Sequence, residues 1–189
     1  NAEEAFWLLA TTIERYLPGY YGSTLYQVRV NAAVFGELLA RHNEPLARHL
    51  SQNGVTPLTY ATEWFISLYT TTLPWESVLR VWDWFYIKGP KILFRIGLAI
   101  LDCLAPTLLT QCPTLGEILP CLLHIPPDEL PPNVLMAAAG KVNITNHRIH
   151  QLTQRVIAQG VPDRGELPSL NQMSRRPRGL RPLQRIFAM

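Results

Sequence analysis

The chain has 189 residues, enough for one large domain or a substantial piece of one. It is 48% hydrophobic and only 16% charged, so most of it can bury a core, and disorder is expected only locally. The net charge of +3 is unevenly placed: residues 160–189 carry six arginines against Asp163 and Glu166, and the preceding 159 residues hold 11 basic and 12 acidic side chains, so the near-neutral body argues against a nucleic-acid-binding face.

Residues 2–17 predict a helix with Glu3 and Glu4 in its first turn, Phe6, Leu9, Ile13 and Leu17 on one face, and Leu17-Pro18-Gly19 as its stop. The chain opens at Asn1 directly inside this pattern, so it is expected to be part of something larger. After a turn at residues 20–23, a weak helix over Thr24–Val28 leads to Asn31, a candidate N-cap for a helix over Ala32–His42. Pro45–Asn53 predicts a short helix terminated by Gly54. Thr56-Pro57 turns into a helix over Tyr60–Thr71, with Trp64, Phe65, Leu68 and Tyr69 apolar.

The stretch Leu73–Leu104 predicts two helices broken at Gly89-Pro90, which form the hydrophobic hub. In the first, Trp75, Val78, Leu79, Val81, Trp82 and Phe85 make a broad apolar face, opposite Glu76, Arg80 and Asp83. The second is apolar nearly all round except Lys91, Arg95 and Asp102, so it is expected to be buried. Its uninterrupted apolar part is shorter than the roughly 18–20 residues of a membrane span, and no transmembrane segment is expected. Thr114–His124, Asn133–Gly140 and a helix capped by Thr145 through Ala158 complete the set, and from Gly160 onward no period survives. No strand pattern competes. The fold class is all-α: a compact array of about eight to ten short crossing helices plus a disordered tail.

Chemistry is hard to find. Cys103, Cys112 and Cys121 lie in or beside apolar runs, never as a C-x-x-C pair, and read as buried free thiols in a reducing, cytoplasmic setting. No signal or transit pattern is present, and Asn143-Ile144-Thr145 is a glycosylation sequon that would matter only in a secreted protein. Nucleotide-binding loops, a nucleophile elbow and zinc-protease motifs are all absent. His147 and His150 stand at i and i+3 without carboxylates to complete a metal site, His42 and His49 lie on separate helices, and Glu63 is expected to cap a helix start. The residues alone predict no catalytic, cofactor-binding or metal site.

Five blocks in order carry a resemblance: Glu3-Glu4-Ala5-Phe6-Trp7; Glu14-Arg15-Tyr16-Leu17-Pro18-Gly19-Tyr20-Tyr21; Thr62-Glu63-Trp64-Phe65; Leu73-Pro74-Trp75 through Leu79-Arg80-Val81-Trp82-Asp83; and Gly89-x-Lys91-x-Leu93-Phe94-Arg95. They resemble the C-terminal half of a TBC domain, a GTPase-activating module for Rab proteins in vesicle trafficking, with details nearest the carabin-like branch. The match is strong over residues 2–104 and loose over 105–158, so the domain reading is a partial TBC domain over 1–158 followed by a basic Pro/Arg-rich tail over 159–189.

The resemblance implies a dual-finger mechanism in which an arginine from an I-x-x-D-x-x-R block and a glutamine from a Y-x-Q block enter the Rab nucleotide site. Neither block occurs here; both would lie upstream of Asn1. No catalytic residue is therefore carried over, and the chain is expected to be inactive alone. The matching motif residues Trp64, Pro74, Trp75, Arg80, Trp82, Asp83, Phe85 and Gly89 read as scaffold, with Arg80 and Asp83 a structural pair. The implied partner is a Rab-type small GTPase that itself holds GTP and Mg, with no cofactor on this chain and no nucleic acid. The alternative is a finger-less Rab-binding or scaffold module. The arginine-rich tail implies weak contact with acidic membrane, peripheral to a cytoplasmic location. A half-domain is expected to expose apolar surface around Phe6, Trp7 and Trp64.

Overall fold

The computed structural model describes residues 1–126 and 128–161. Among them are nine α-helices and no strands: α1 (Ala2–Thr11), α2 (Tyr26–His42), α3 (Glu44–Gln52), α4 (Pro57–Ile66), α5 (Trp75–Lys88), α6 (Lys91–Gln111), α7 (Leu115–Leu123), α8 (Pro132–Lys141) and α9 (Asn146–Gln159). The expected tail lies outside the described residues beyond Val161. Local signals start most helices where the sequence places them. Asn43 caps α3 by accepting the Leu46 N–H at 3.2 Å. Thr114 and Glu117 form a reciprocal capping box on α7, and Thr145 accepts the Arg148 N–H on α9 at 3.2 Å.

The core is built where α2, α4 and α6 meet. Phe35 of α2 packs edge-to-face against Tyr60, Trp64 and Phe65 of α4, with ring centroids 6.2, 6.1 and 5.7 Å away. Trp64 continues the cluster to Tyr69 at 5.9 Å, and Phe65 to Phe94 of α6 at 5.4 Å. Buried polar tips are satisfied by backbone: Trp64 Nε1 donates to the Leu122 carbonyl at 3.1 Å, and the Tyr69 hydroxyl donates to the Leu93 carbonyl at 2.5 Å. Trp64 is fully buried, so it does not contribute to the exposed surface expected around it.

Close approach at the α2/α6 crossing depends on Gly97. A β-carbon there would stand 2.8 Å from Phe35 Cε2 and 3.0 Å from the Tyr69 hydroxyl, inside van der Waals contact. The hub is therefore α6 with α2 and α4; of the Leu73–Leu104 hairpin, α6 is buried nearly all round as expected, and α5 contributes only its inner side.

Four expectations are corrected by packing. Asn31 does not cap a helix; α2 runs unbroken from Tyr26, and the buried Asn31 donates to the Tyr20 hydroxyl and accepts from Gln27 at 3.1 Å. Burial of Val28, Val30 and Val34 on both sides of Asn31 holds the helix through it. The α4 helix stops at Ile66, five residues before the predicted end, because Leu68 and Tyr69 turn into the left-handed region at φ 50° and 67°. Such residues are strained, and here they are held by Tyr69 N–H donating to the Trp64 carbonyl at 2.9 Å and by Trp82 Nε1 donating to the Leu68 carbonyl at 3.1 Å. Glu63 accordingly lies inside α4 and not at a helix start.

The α6 helix runs past the predicted end near Leu104 to Gln111, through Pro106, because Leu104, Ala105 and Leu108 are all buried. Proline costs an interior helix about 3 kcal/mol, which this burial offsets. At 21 residues α6 is long and apolar enough to cross a membrane, so its length does not exclude a span; 67% of its most apolar stretch is buried inside the protein, as in a soluble core helix.

The Gly97→Ala substitution should destabilise the fold by about 1–3 kcal/mol through overpacking. Urea unfolding followed by tryptophan fluorescence would read it as a lower midpoint at unchanged slope; an unshifted midpoint would show that Phe35 and Tyr69 give way freely.

Candidate functional site

Helix α5 is amphipathic in a way its composition disguises. Val78, Val81 and Phe85 are buried, and Ser77 donates its hydroxyl to the Leu130 carbonyl at 3.2 Å. Trp75 and Leu79, expected inward, are exposed, Trp75 by 61%. With Glu76, Arg80, Asp83 and Ile87, which is 78% exposed, they fall within about 140° of the helix circumference at 100° per residue. The result is one continuous outward face of three large apolar and three charged side chains. Glu76, Leu79, Arg80 and Asp83 line a cleft of about 490 Å³ with Pro132 at the start of α8.

The motif residues divide between the two sides of this helix. Trp64 and Phe85 are buried, and Trp82 is half-buried with its indole N–H bonded to Leu68. Pro74 is the N-cap of α5, and Gly89 closes it at φ 81°, donating its N–H to the Phe85 carbonyl at 2.8 Å. An added β-carbon at Gly89 would touch nothing, so the backbone angle alone demands glycine there. Trp75, Arg80 and Asp83 point outward. Among the described residues no ion pair joins Arg80 to Asp83, so the expected structural pair does not form. Both side chains are left available to solvent or a partner.

A second apolar surface lies on α1. None of its residues is buried, and Phe6, Trp7, Leu8 and Leu9 are all exposed, the first two by about 60%. The segment is anchored at its end instead. A π-helical turn over Thr12–Tyr16 brings the Thr12 hydroxyl within 2.9 Å of the Tyr86 hydroxyl, and the Tyr16 hydroxyl donates to the Tyr86 carbonyl at 3.3 Å. Tyr16 also packs on the Phe85 ring at 5.3 Å. The exposed helix is thus tied to the inner edge of α5. The sequence marks Phe6 and Trp7 as exposed, but not Leu8, Leu9, Trp75 or Leu79; apolar identity alone reads as core.

No catalytic constellation assembles among the described residues. His42 and Asp102 stand 2.7 Å apart, each about one third exposed, tying the end of α2 to α6. His49 hydrogen-bonds the Cys112 carbonyl at 3.0 Å, and His147 pairs with Gln151 at 2.9 Å. Among the described residues no group of three or more His, Cys, Asp or Glu side chains converges to hold a metal ion. Burial raises the hydroxyl pKa of Tyr20, Tyr60 and Tyr69, which keeps them neutral structural groups.

The family model for the Rab-GTPase-TBC domain matches residues 1–109. The chain is similar to mouse Carabin, 42% identical over 159 residues, which covers 83% of this chain and 36% of Carabin. It is 34% identical to human TBC1 domain family member 10B over 168 residues, 88% of this chain and 21% of that protein. The crystal structure of the Chlamydomonas flagellar RabGAP TBC domain superposes with a TM-score of 0.64 at 34% identity, over 74% of this chain and 46% of that one. The chain thus spans about a third or less of these curated relatives and just under half of the solved domain.

Four uncovered apolar residues on α1 should drive self-association of the isolated chain. Sedimentation velocity over a tenfold concentration range should show oligomers, and Phe6→Ser with Trp7→Ser should shift the population toward monomer without changing the melting temperature. A wild-type chain that stays monomeric with a sharp cooperative melt would contradict this.

Proposed function

The chain belongs to the Rab-GTPase-TBC domain family, and we propose that it supplies the C-terminal part of a GTPase-activating module for Rab-type small GTPases. The observation that carries this reading is the division of the family motif across α5. Trp64 and Phe85 lie in the core with the half-buried Trp82 packed against it, while Trp75, Arg80 and Asp83 are held outward on α5, with no hydrogen bond or ion pair from their side chains among the described residues. Exposed tryptophan and arginine together are the side chains that most often dominate protein interfaces.

In this reading GTP and Mg belong to the partner. An arginine and a glutamine from I-x-x-D-x-x-R and Y-x-Q blocks elsewhere in the domain reach the nucleotide, the arginine offsetting charge on the phosphates and the glutamine positioning water. Neither block occurs in these 189 residues. The part played here is to present the outward face of α5 to the GTPase and to offer the apolar face of α1 to the remainder of the domain. The chain works in the cytoplasm, and the arginines at Arg175, Arg176 and Arg178 add weak attraction to anionic membrane.

Two measurements test the proposal. The 189-residue chain by itself should leave GTP hydrolysis by a panel of Rab proteins at the intrinsic rate; stimulation would show that the catalytic groups lie within it. Joined to a segment bearing both finger blocks, it should accelerate one or more Rabs by about 10³–10⁵, the range of an arginine finger in trans. In that polypeptide, Trp75→Ala with Arg80→Ala should lower kcat/KM by about tenfold or more at unchanged melting temperature. Unchanged kcat/KM would remove α5 from the interface.

A further inference from the structure

Cys112 closes α6, Cys121 lies in α7, and their sulfur atoms stand 3.5 Å apart. Neither is bonded to another cysteine. Both line a cleft of about 240 Å³ between the end of α6, α7 and the connector before α8, with Leu104, Leu108 and Pro120 as its apolar walls. The cleft gives a small neutral solute a route to the sulfurs.

We propose that Cys112 and Cys121 are a peroxide-responsive dithiol that closes reversibly to a disulfide. The assignment is independent of the Rab reading. Contact distance between two thiols nine residues apart is the geometric requirement; the sulfurs need close only from 3.5 Å to the ~2.05 Å of an S–S bond. Cys112 has already left the helical conformation, at φ −119° and ψ 76°, and Pro113-Thr114 connects it to α7. The two ends are otherwise held: the Cys112 carbonyl by His49, and the Leu122 carbonyl beside Cys121 by Trp64.

The two sulfurs take different roles. Cys112 is only 4% exposed, and burial followed by its hydrogen bond to Cys121 pushes its thiol up to about 12, so it is a poor first nucleophile. Cys121 is the more exposed of the two and meets hydrogen peroxide first. Its thiolate attacks one peroxide oxygen, the O–O bond breaks, and the departing hydroxide takes the released thiol proton as water. Cys121 is left as a sulfenic acid. The Cys112 sulfur then gives up its proton and attacks the Cys121 sulfur, expelling the sulfenic hydroxyl as a second water. Two thiols lose two electrons, and one peroxide becomes two waters. A thiol reductant reverses the bond by exchange. Cys103, in the middle of α6, has no sulfur contact among the described residues and stays reduced.

The test uses the full 189-residue chain, reduced and then exposed to excess hydrogen peroxide, with thiols counted after denaturation and alkylation. The count should fall from three to one and return to three with dithiothreitol, and fragment masses should place the link between Cys112 and Cys121. In Cys103→Ser it should fall from two to zero. In Cys112→Ser, a dimedone adduct should appear on Cys121. Retention of three thiols, a link through Cys103, an intermolecular dimer, or oxygen added without a link would each overturn the proposal.

Discussion

The fold depends on how closely α2 can lie against α6. Gly97 removes the one β-carbon that would hold the Phe35 ring away, and the Tyr69 hydroxyl enters the same space to reach the Leu93 carbonyl. Everything around that point follows as a constraint. Tyr69 reaches its partner only by leaving the helix, which explains why α4 ends at Ile66 and why two consecutive residues accept left-handed angles. Trp82 then bonds the carbonyl of the strained Leu68, so the position of α5 is referred back to the same crossing. A single missing methyl group thus sets the relation of four helices.

Helix periodicity and terminal chemistry were legible from the residues. Pro74, Thr114 and Thr145 mark helix starts by fixed φ or by hydroxyl capping, and those local effects persist in the packed fold, whereas Pro57, expected in a turn ahead of Tyr60, is itself the first residue of α4. The misread elements share one physical cause. Asn31 is a good cap and a poor interior residue by propensity, yet burial of its neighbours and a tyrosine partner reverse that preference. Pro106 ends most helices, yet the apolar residues around it keep α6 intact. Tertiary contacts outweighed local preference in both places, by interactions far apart in sequence.

The proposed binding surface was less legible than the fold for a related reason. A tryptophan on an amphipathic helix is read as core, and the period places Trp75 only 20° from the half-buried Trp82. What separates them is a carbonyl: the Trp82 indole N–H donates to Leu68, while Trp75 is left 61% exposed. Membership of the TBC family rests on the ordered blocks and the matching relatives. The outward face of α5 is visible only once the turn after α4 has been placed.

The tether at Tyr86 gives α1 a mechanical meaning. Its helix buries nothing of its own, and the turn that follows it meets α5 through hydroxyls and rings at Phe85 and Tyr86. Any load borne by Phe6–Leu9 is transmitted through that joint, at the end of the helix that displays Trp75 and Arg80. A body gripping α1 is therefore placed relative to the displayed face by that joint, as a hand on a lever is placed relative to the blade beyond its pivot.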